Sequence, residues 1–234
     1  MKRKTKSLVC AIRIAGLALV LSASATPLFA QDFTIHMKGD NGIDGTTYYV
    51  SPNAIRRTTP GLTDVIDRMD RSTIIYLNHR NKTYTETPAA DARAMIADSM
   101  NKIDPQKKAL LQQYGLDKPA QLTKIGPGEN IAGYPTEKYS LKTAMAEGEV
   151  WITQSLQFPA AYYRDFDLLS GFTGPTGDGG KVAEVHGVVL KRIMTGAMGR
   201  SMSGNHGETA VSVEKGAIPA STFEPPTDYT KASR

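Results

Sequence analysis

A chain of 234 residues, 40% of them hydrophobic and 22% charged, has enough apolar surface to bury a core, which excludes a disordered or low-complexity polymer. Its basic excess, 28 Lys and Arg against 23 Asp and Glu, resides in the first thirty residues, where Lys2, Arg3, Lys4, Lys6 and Arg13 meet no acidic residue; the remainder balances at 23 against 23. That neutrality gives a nucleic-acid partner no electrostatic support, and the single cysteine, Cys10, leaves residues 31–234 without disulfides, thiolate chemistry or cysteine zinc sites.

Residues 1–30 read as a secretory signal peptide. A basic start is followed by an apolar run from Leu8 to Leu21, and small residues with Pro27 then lead to Ala30-Gln31, where cleavage is expected. Arg13 and Gly16 interrupt the apolar run, which is short for a membrane span of about 20 residues. The expected product is a periplasmic or secreted bacterial protein of residues 31–234, one domain, no longer integral to the membrane once cleaved.

Within it, apolar residues alternate over Asp32–Lys38, the period of a half-buried strand. Thr46–Val50, Ala54–Thr59 and Asp64–Arg68 follow as short strands between Gly- and Pro-containing turns. Ser72–Asn78 and Lys82–Thr87 flank the polar turn His79-Arg80-Asn81, completing a β-meander. The period then changes. Thr87 as cap and Pro88 in the first turn open a helix in which Ala92, Met95, Ile96, Met100 and Ile103 recur at helical spacing, and Asp104-Pro105 begins a second helix ended by Gly115. Strands resume at Gln121–Ile125, Tyr134–Thr143 and Gly148–Thr153, a helix is expected over Pro159–Leu169, and Gly171–Gly180 reads as a glycine-rich loop. Val182–Thr195 and Thr209–Lys215 are the last long strands, and the residues beyond Phe223 are expected to lie on the surface. The class is mainly β (α+β), with helical insertions near 88–115 and 159–169.

The alternating first strand, Lys82-Thr83-Tyr84-Thr85-Glu86, Ile131-Ala132-Gly133-Tyr134 with Glu137-Lys138-Tyr139, Glu149-Val150-Trp151-Ile152-Thr153 and the closing run from Ile218 to Pro226 together carry a resemblance. The chain resembles the exported bacterial proteins grouped as domain of unknown function 4412, over nearly all of residues 31–234. Those proteins look like the outer-membrane lipoprotein carriers. The resemblance implies a strongly curved antiparallel sheet, an unclosed barrel, with helices against its concave side. It implies no catalytic residues. Pro226-Thr227-Asp228-Tyr229 departs from the Pro-Gly-Tyr turn expected at that point.

Few motifs carry chemistry. Ser99-Met100-Asn101-Lys102 has the spacing of a penicillin-recognising nucleophile, but the Lys-Thr-Gly that this chemistry needs is lacking. His36, His79, His186 and His206 show no paired zinc spacing. Met194, Met198, Met202 and His206 fall at intervals of four, on one face of a strand or helix, and thioethers suit Cu(I); adaptable packing of these methionines is the plainer alternative. The doublets Tyr48-Tyr49 and Tyr162-Tyr163 suit the rim of a hydrophobic mouth or an interface, or ordinary core packing. A curved, unclosed sheet incompletely covered by helices leaves a cavity suited to apolar chains. The residues expected to line it are Met95, Ile96 and Met100 from the helix, with Tyr76 and Trp151 from strands. The leading expectation is therefore a periplasmic binding or carrier protein for a hydrophobic small molecule, a lipid or a lipid-modified partner, working without a cofactor. The alternative is an envelope protein-protein interaction module, with a Cu(I)-binding protein or a hydrolase behind both.

Overall fold

Strand formation follows the alternation. In β1, Phe33–Gly39, the side chains of Phe33, Ile35 and Met37 are buried and those between them are not. β2 (Asp44–Val50), β3 (Ala54–Thr58), β4 (Asp64–Arg68), β5 (Thr73–Asn78) and β6 (Thr83–Pro88) continue as a meander into α1, Ala89–Asn101. After it come β7 (Gln121–Pro127), β8 (Glu137–Lys142), β9 (Glu147–Thr153), the short helix α2 (Ala160–Asp165), β10 (Val188–Thr195) and β11 (His206–Lys215). A 3-10 turn, Ala220–Phe223, precedes β12, Thr230–Lys231. This computed structural model describes residues 31–232 except 41, 43, 62–63, 103, 107–108, 110–120, 143–146, 166–184 and 196–205.

The twelve strands of the described residues form one sheet in the order β12-β6-β5-β4-β3-β2-β1-β11-β10-β9-β8-β7, with β12 and β7 at its ends, so it is not closed into a barrel. Every pairing is antiparallel except that of β12 with β6. The first strand thus lies mid-sheet, where β11 and β2 flank it. The sheet is bent upon itself. Val65 of β4 and Ile152 of β9 line one cavity, although six strand spacings, roughly 29 Å in a flat sheet, separate their strands. Extra residues interrupt the ladders: β11 carries one between Ala210 and Ser212, β10 one between Val189 and Lys191, and the end strand β7 one between Lys124 and Gly126, the kind of bulge that increases local twist.

Both faces are covered. The larger core holds Ile35, Val50, Ile55 and Ile74 with Ala89 and Ala92 of α1 and Tyr162 of α2. Around β7–β9 it gives way to Leu122, Tyr139, Leu141, Val150 and Ile152. On the other face of the meander, Ala54, Ile66, Ile75 and Leu77 are covered by Phe223 from the chain end.

Several boundaries differ from the sequence expectation for local reasons. Pro88 ends β6 rather than opening the helix: it pairs with Thr73, at a terminal position where no ladder N–H is needed, and Ala89 N–H donates to Ser72 O at 2.8 Å. β8 starts at Glu137 instead of Tyr134 because Ile131 and Tyr134 exchange backbone hydrogen bonds, both 2.9 Å, and close a turn of their own. β10 starts at Val188, after His186 at φ 45°, and residues 182–184 lie outside the described residues. The second helix expected from Asp104 and the end of the helix expected to Leu169 fall largely or wholly outside them too.

Candidate functional site

A row of paired residues crosses the sheet. Val213, Ile35, Tyr48, Arg57, Val65, Tyr76 and Thr85 are successive partners in β11, β1, β2, β3, β4, β5 and β6, so their side chains share the face enclosed by the curl. Four of them, Ile35, Tyr48, Arg57 and Val65, line a cavity of about 250 Å³. Met37, Ile152, Val188 and Val189 supply more of its apolar wall from β1, β9 and β10. The segment after β9 closes it with an aromatic cluster. Phe158 lies 6.3 Å from the Tyr48 ring and 5.0 Å from the Tyr162 ring, and the Tyr162 and Tyr163 centroids are 5.9 Å apart. The Tyr163 hydroxyl accepts from Phe158 N–H at 3.0 Å and donates to Gly187 O at 3.2 Å, tying this cover to the start of β10. Gly187 permits the approach, since a Cβ there would stand 2.5 Å from Ile152 Cγ2 and 2.7 Å from Thr153 O.

The wall is not wholly apolar. Glu208 is held by Arg192 Nη2 at 2.6 Å, by Thr46 N–H at 3.1 Å and by the Thr46 hydroxyl at 3.2 Å; Thr46 and Thr59 hydroxyls meet at 3.0 Å. This group satisfies itself. Arg57 differs. Its guanidinium stands 3.6 Å from Asp67 Oδ2, outside hydrogen-bonding distance, and among the described residues Arg57 Nε and both Asp67 oxygens lack a hydrogen-bond partner. Asp67 is fully buried, and burial pushes its carboxyl up to about 6 against the opposing pull of the Arg57 charge. Burial likewise raises the Tyr48 and Tyr76 hydroxyls. The arrangement is a largely apolar container with one guanidinium whose Nε has no acceptor among the described residues.

Of the residues the sequence puts forward, Tyr76 lies in the cross-sheet row beyond Val65 and packs against the larger core, without forming part of the cavity wall. Met95 is 62% exposed and also outside the wall. α1 docks through Ala89 and Ala92 in its first turn, and Met95 comes nearly a turn beyond that contact. Ile96 and Met100 belong to the same helix, but the surroundings of their side chains are outside the description. Trp151 is buried with Lys138 and Lys191 Nζ 4.9 and 4.6 Å from its ring centroid, and its neighbour Ile152 takes the place in the wall. Met194 and His206 are backbone partners between β10 and β11, while Met198 and Met202 lie outside the described residues. Among the described residues no three His, Cys, Asp or Glu side chains are grouped to hold a metal ion. Ser99 of the Ser-x-x-Lys spacing lies on α1.

Three of the four tyrosines in the doublets, Tyr48, Tyr162 and Tyr163, line the cavity, whereas Tyr49 packs on the opposite face with the chain end. The arginines and Phe158 were not legible as cavity residues. Arg56-Arg57 carried one signal: neighbours on a strand face opposite ways, so in a sheet covered on both faces one arginine points inward.

Among the described residues no helix is long and apolar enough to cross a membrane. No curated protein matches the chain. A solved structure of PNGF-II in space group C2 aligns with 87% of this chain and 31% of its own at 14% identity and a TM-score of 0.46. The Pseudomonas aeruginosa MucA/MucB complex aligns over 86% and 58% at 14% identity and a TM-score of 0.38. The chain thus spans about a third of the first and little over half of the second. The family model described as Domain of unknown function (DUF4412) matches residues 29–229, nearly the whole of the sheet and its cover, and the chain belongs to that family.

Proposed function

We propose that this is an exported binding or carrier protein, periplasmic or secreted after loss of about thirty residues, that holds a hydrophobic ligand or the chain of a lipid-modified partner inside the curled sheet. The observation that carries the reading is the cavity of about 250 Å³ walled by Ile35, Met37, Val65, Ile152 and Phe158. Well-packed interiors leave few voids larger than a water molecule, and a void of this size with an apolar wall and a few polar groups has the make-up of a ligand site. Purified protein should enhance the fluorescence of the neutral probe 1-N-phenylnaphthylamine and release it to 1-octanol. Protein that neither takes up the probe nor carries added mass in native mass spectrometry after purification from its own host would overturn the reading. Export is tested separately: the protein from the periplasmic fraction should begin near Gln31, and an intact Met1 in a membrane pellet would contradict it.

A protein partner is the second reading, favoured by β7. This strand ends the sheet with one edge unpaired among the described residues, and Ile125 on it is 55% exposed. Photo-crosslinking from position 125 in cells should capture a partner if that edge is used.

A further inference from the structure

The two arginines of the cavity are in different electrostatic states. Arg192 is matched by Glu208, whose carboxylate also accepts from Thr46, so that pair adds no net charge to the wall. Arg57 faces Asp67 across 3.6 Å with no hydrogen bond between them, and Asp67 does not line the cavity. A guanidinium has five donors in a planar fork that matches a carboxylate. Arg57 therefore offers the cavity a monovalent anion site beside the Tyr48 ring, its partner across the β2–β3 ladder. Apolar wall continues from there on either side, through Ile35 next to Tyr48 and Val65 next to Arg57.

Resting on the reading of the cavity as a ligand site, we propose that its ligand is a single-chain carboxylic acid of medium length. The carboxylate is received by Arg57, and the chain lies along Ile35, Met37, Val65, Ile152 and Phe158. Size and charge both select this class. About 250 Å³ lies just below the range of roughly 300–1,000 Å³ usual for ligand pockets, which suits one chain and excludes a whole multi-chain lipid. A phosphate monoester carries about −1.5 to −2 at neutral pH, whereas Arg57 supplies at most one positive charge, partly offset by Asp67 at 3.6 Å, and Glu208 stands in the same wall. A primary ammonium head would meet the guanidinium as a like charge.

The test measures octanoate, 1-octanol, octylamine and octyl phosphate by displacement of the same neutral probe. Octanoate should bind at least tenfold tighter than octanol, and octylamine and octyl phosphate more weakly than octanoate. In Arg57→Gln the octanoate-to-octanol preference should collapse to about one. The readout is a ratio within one variant, so general loosening of the cavity does not imitate it. Should Arg57→Gln leave Asp67 buried alone and fail to fold, Arg57→Gln combined with Asp67→Asn removes both charges and should show the same collapse. Octanol binding as tightly as octanoate in the wild type, or a preference that survives loss of Arg57, would overturn the carboxylate site and leave the cavity reading standing. Octyl phosphate binding more tightly than octanoate would overturn the carboxylate assignment. If none of the four displaces the probe or binds, the cavity reading itself fails.

Discussion

Arg56 and Arg57 are adjacent on β3 and point to opposite faces, and β4 sets an aspartate against each: Asp64 against Arg56, Asp67 against Arg57. The two pairs are built differently. Asp64 accepts from Arg56 Nε at 3.1 Å and Nη2 at 2.6 Å and from the Thr58 hydroxyl at 3.1 Å, while Arg56 also donates to Thr222 O at 3.0 Å. Removing one partner of a buried pair strands the other, so Arg56→Met should destabilise the protein by about 3–5 kcal/mol in urea unfolding, with much of the loss recovered when Asp64→Leu is added. Asp67 has no hydrogen bond among the described residues, and its carboxyl sits near 6, above the ordinary aspartate value of 3.8. A carboxyl that binds its proton more tightly when folded favours the folded state at low pH. Its contribution is lost as pH rises from about 4 to about 6 and changes little beyond, an effect on the order of 2–3 kcal/mol. Unfolding free energies taken across pH 4 to 7 should therefore fall in the wild type relative to Asp67→Asn over that window. Parallel curves for the two proteins would show that Asp67 titrates normally.

The chain end is the element whose role sequence patterning understates. Residues beyond Phe223 read as a polar, proline-rich coat, yet this segment seals the outer face of the meander. Phe223 is buried against Ala54, Ile66, Ile75 and Leu77, and Thr230–Lys231 add a parallel strand to β6. Ion pairs fasten it: Glu224 to Arg68 and Arg71, Asp228 to Lys82, Lys231 to Glu86. His79 joins the clasp, with Nδ1 2.6 Å from the Tyr229 hydroxyl and Nε2 3.0 Å from Asp64 Oδ1. The exposed pairs, Asp228 with Lys82 and Lys231 with Glu86, contribute little individually, and buried Phe223, whose carbonyl accepts from the buried Arg68, contributes most. Phe223→Ala should cost about 3–5 kcal/mol in the same unfolding experiment, and Lys82→Ala should leave the midpoint nearly unchanged. Comparable losses for the two would place the anchor in the charges instead. Phe33–Gly39 was legible in the sequence because its period of two is local, and Thr73–Asn78 because a β-rich run there abuts a polar turn. β12 was not, since two polar residues acquire strand geometry only from the edge they meet. For α1 the apolar spacing located the helix and included Ala92 of its docked side, but not Ala89, which precedes the stripe and is small enough to approach the core.

At the scale of the molecule, the cavity arises from the curl, which brings β4 opposite β9 and β10. Which strands meet across a bend is a property of the whole sheet and leaves no mark in any local pattern. That is why the sequence led to an apolar container but placed Met95 and Trp151 in a wall that is built from Ile35, Tyr48, Arg57, Ile152 and Phe158. The curl also makes a distinction that stability alone can measure. In a closed core, enlarging a side chain forces neighbours off their rotamers and costs about 1–3 kcal/mol. In a vacant cavity the added atoms gain contacts and remove a void, commonly a gain of about 0.5–2 kcal/mol. Val65 is the position for this test, lining the cavity between Arg57 and Tyr76 in the cross-sheet row and only partly buried. Val65→Phe should raise the unfolding midpoint in the absence of ligand and weaken probe and octanoate binding by at least tenfold, because the ring occupies the ligand's space. Lower stability with unchanged binding would mean that the ligand lies elsewhere and that the curl encloses packed core, whereas opposite movements of stability and affinity in one variant identify a cavity kept open for its occupant.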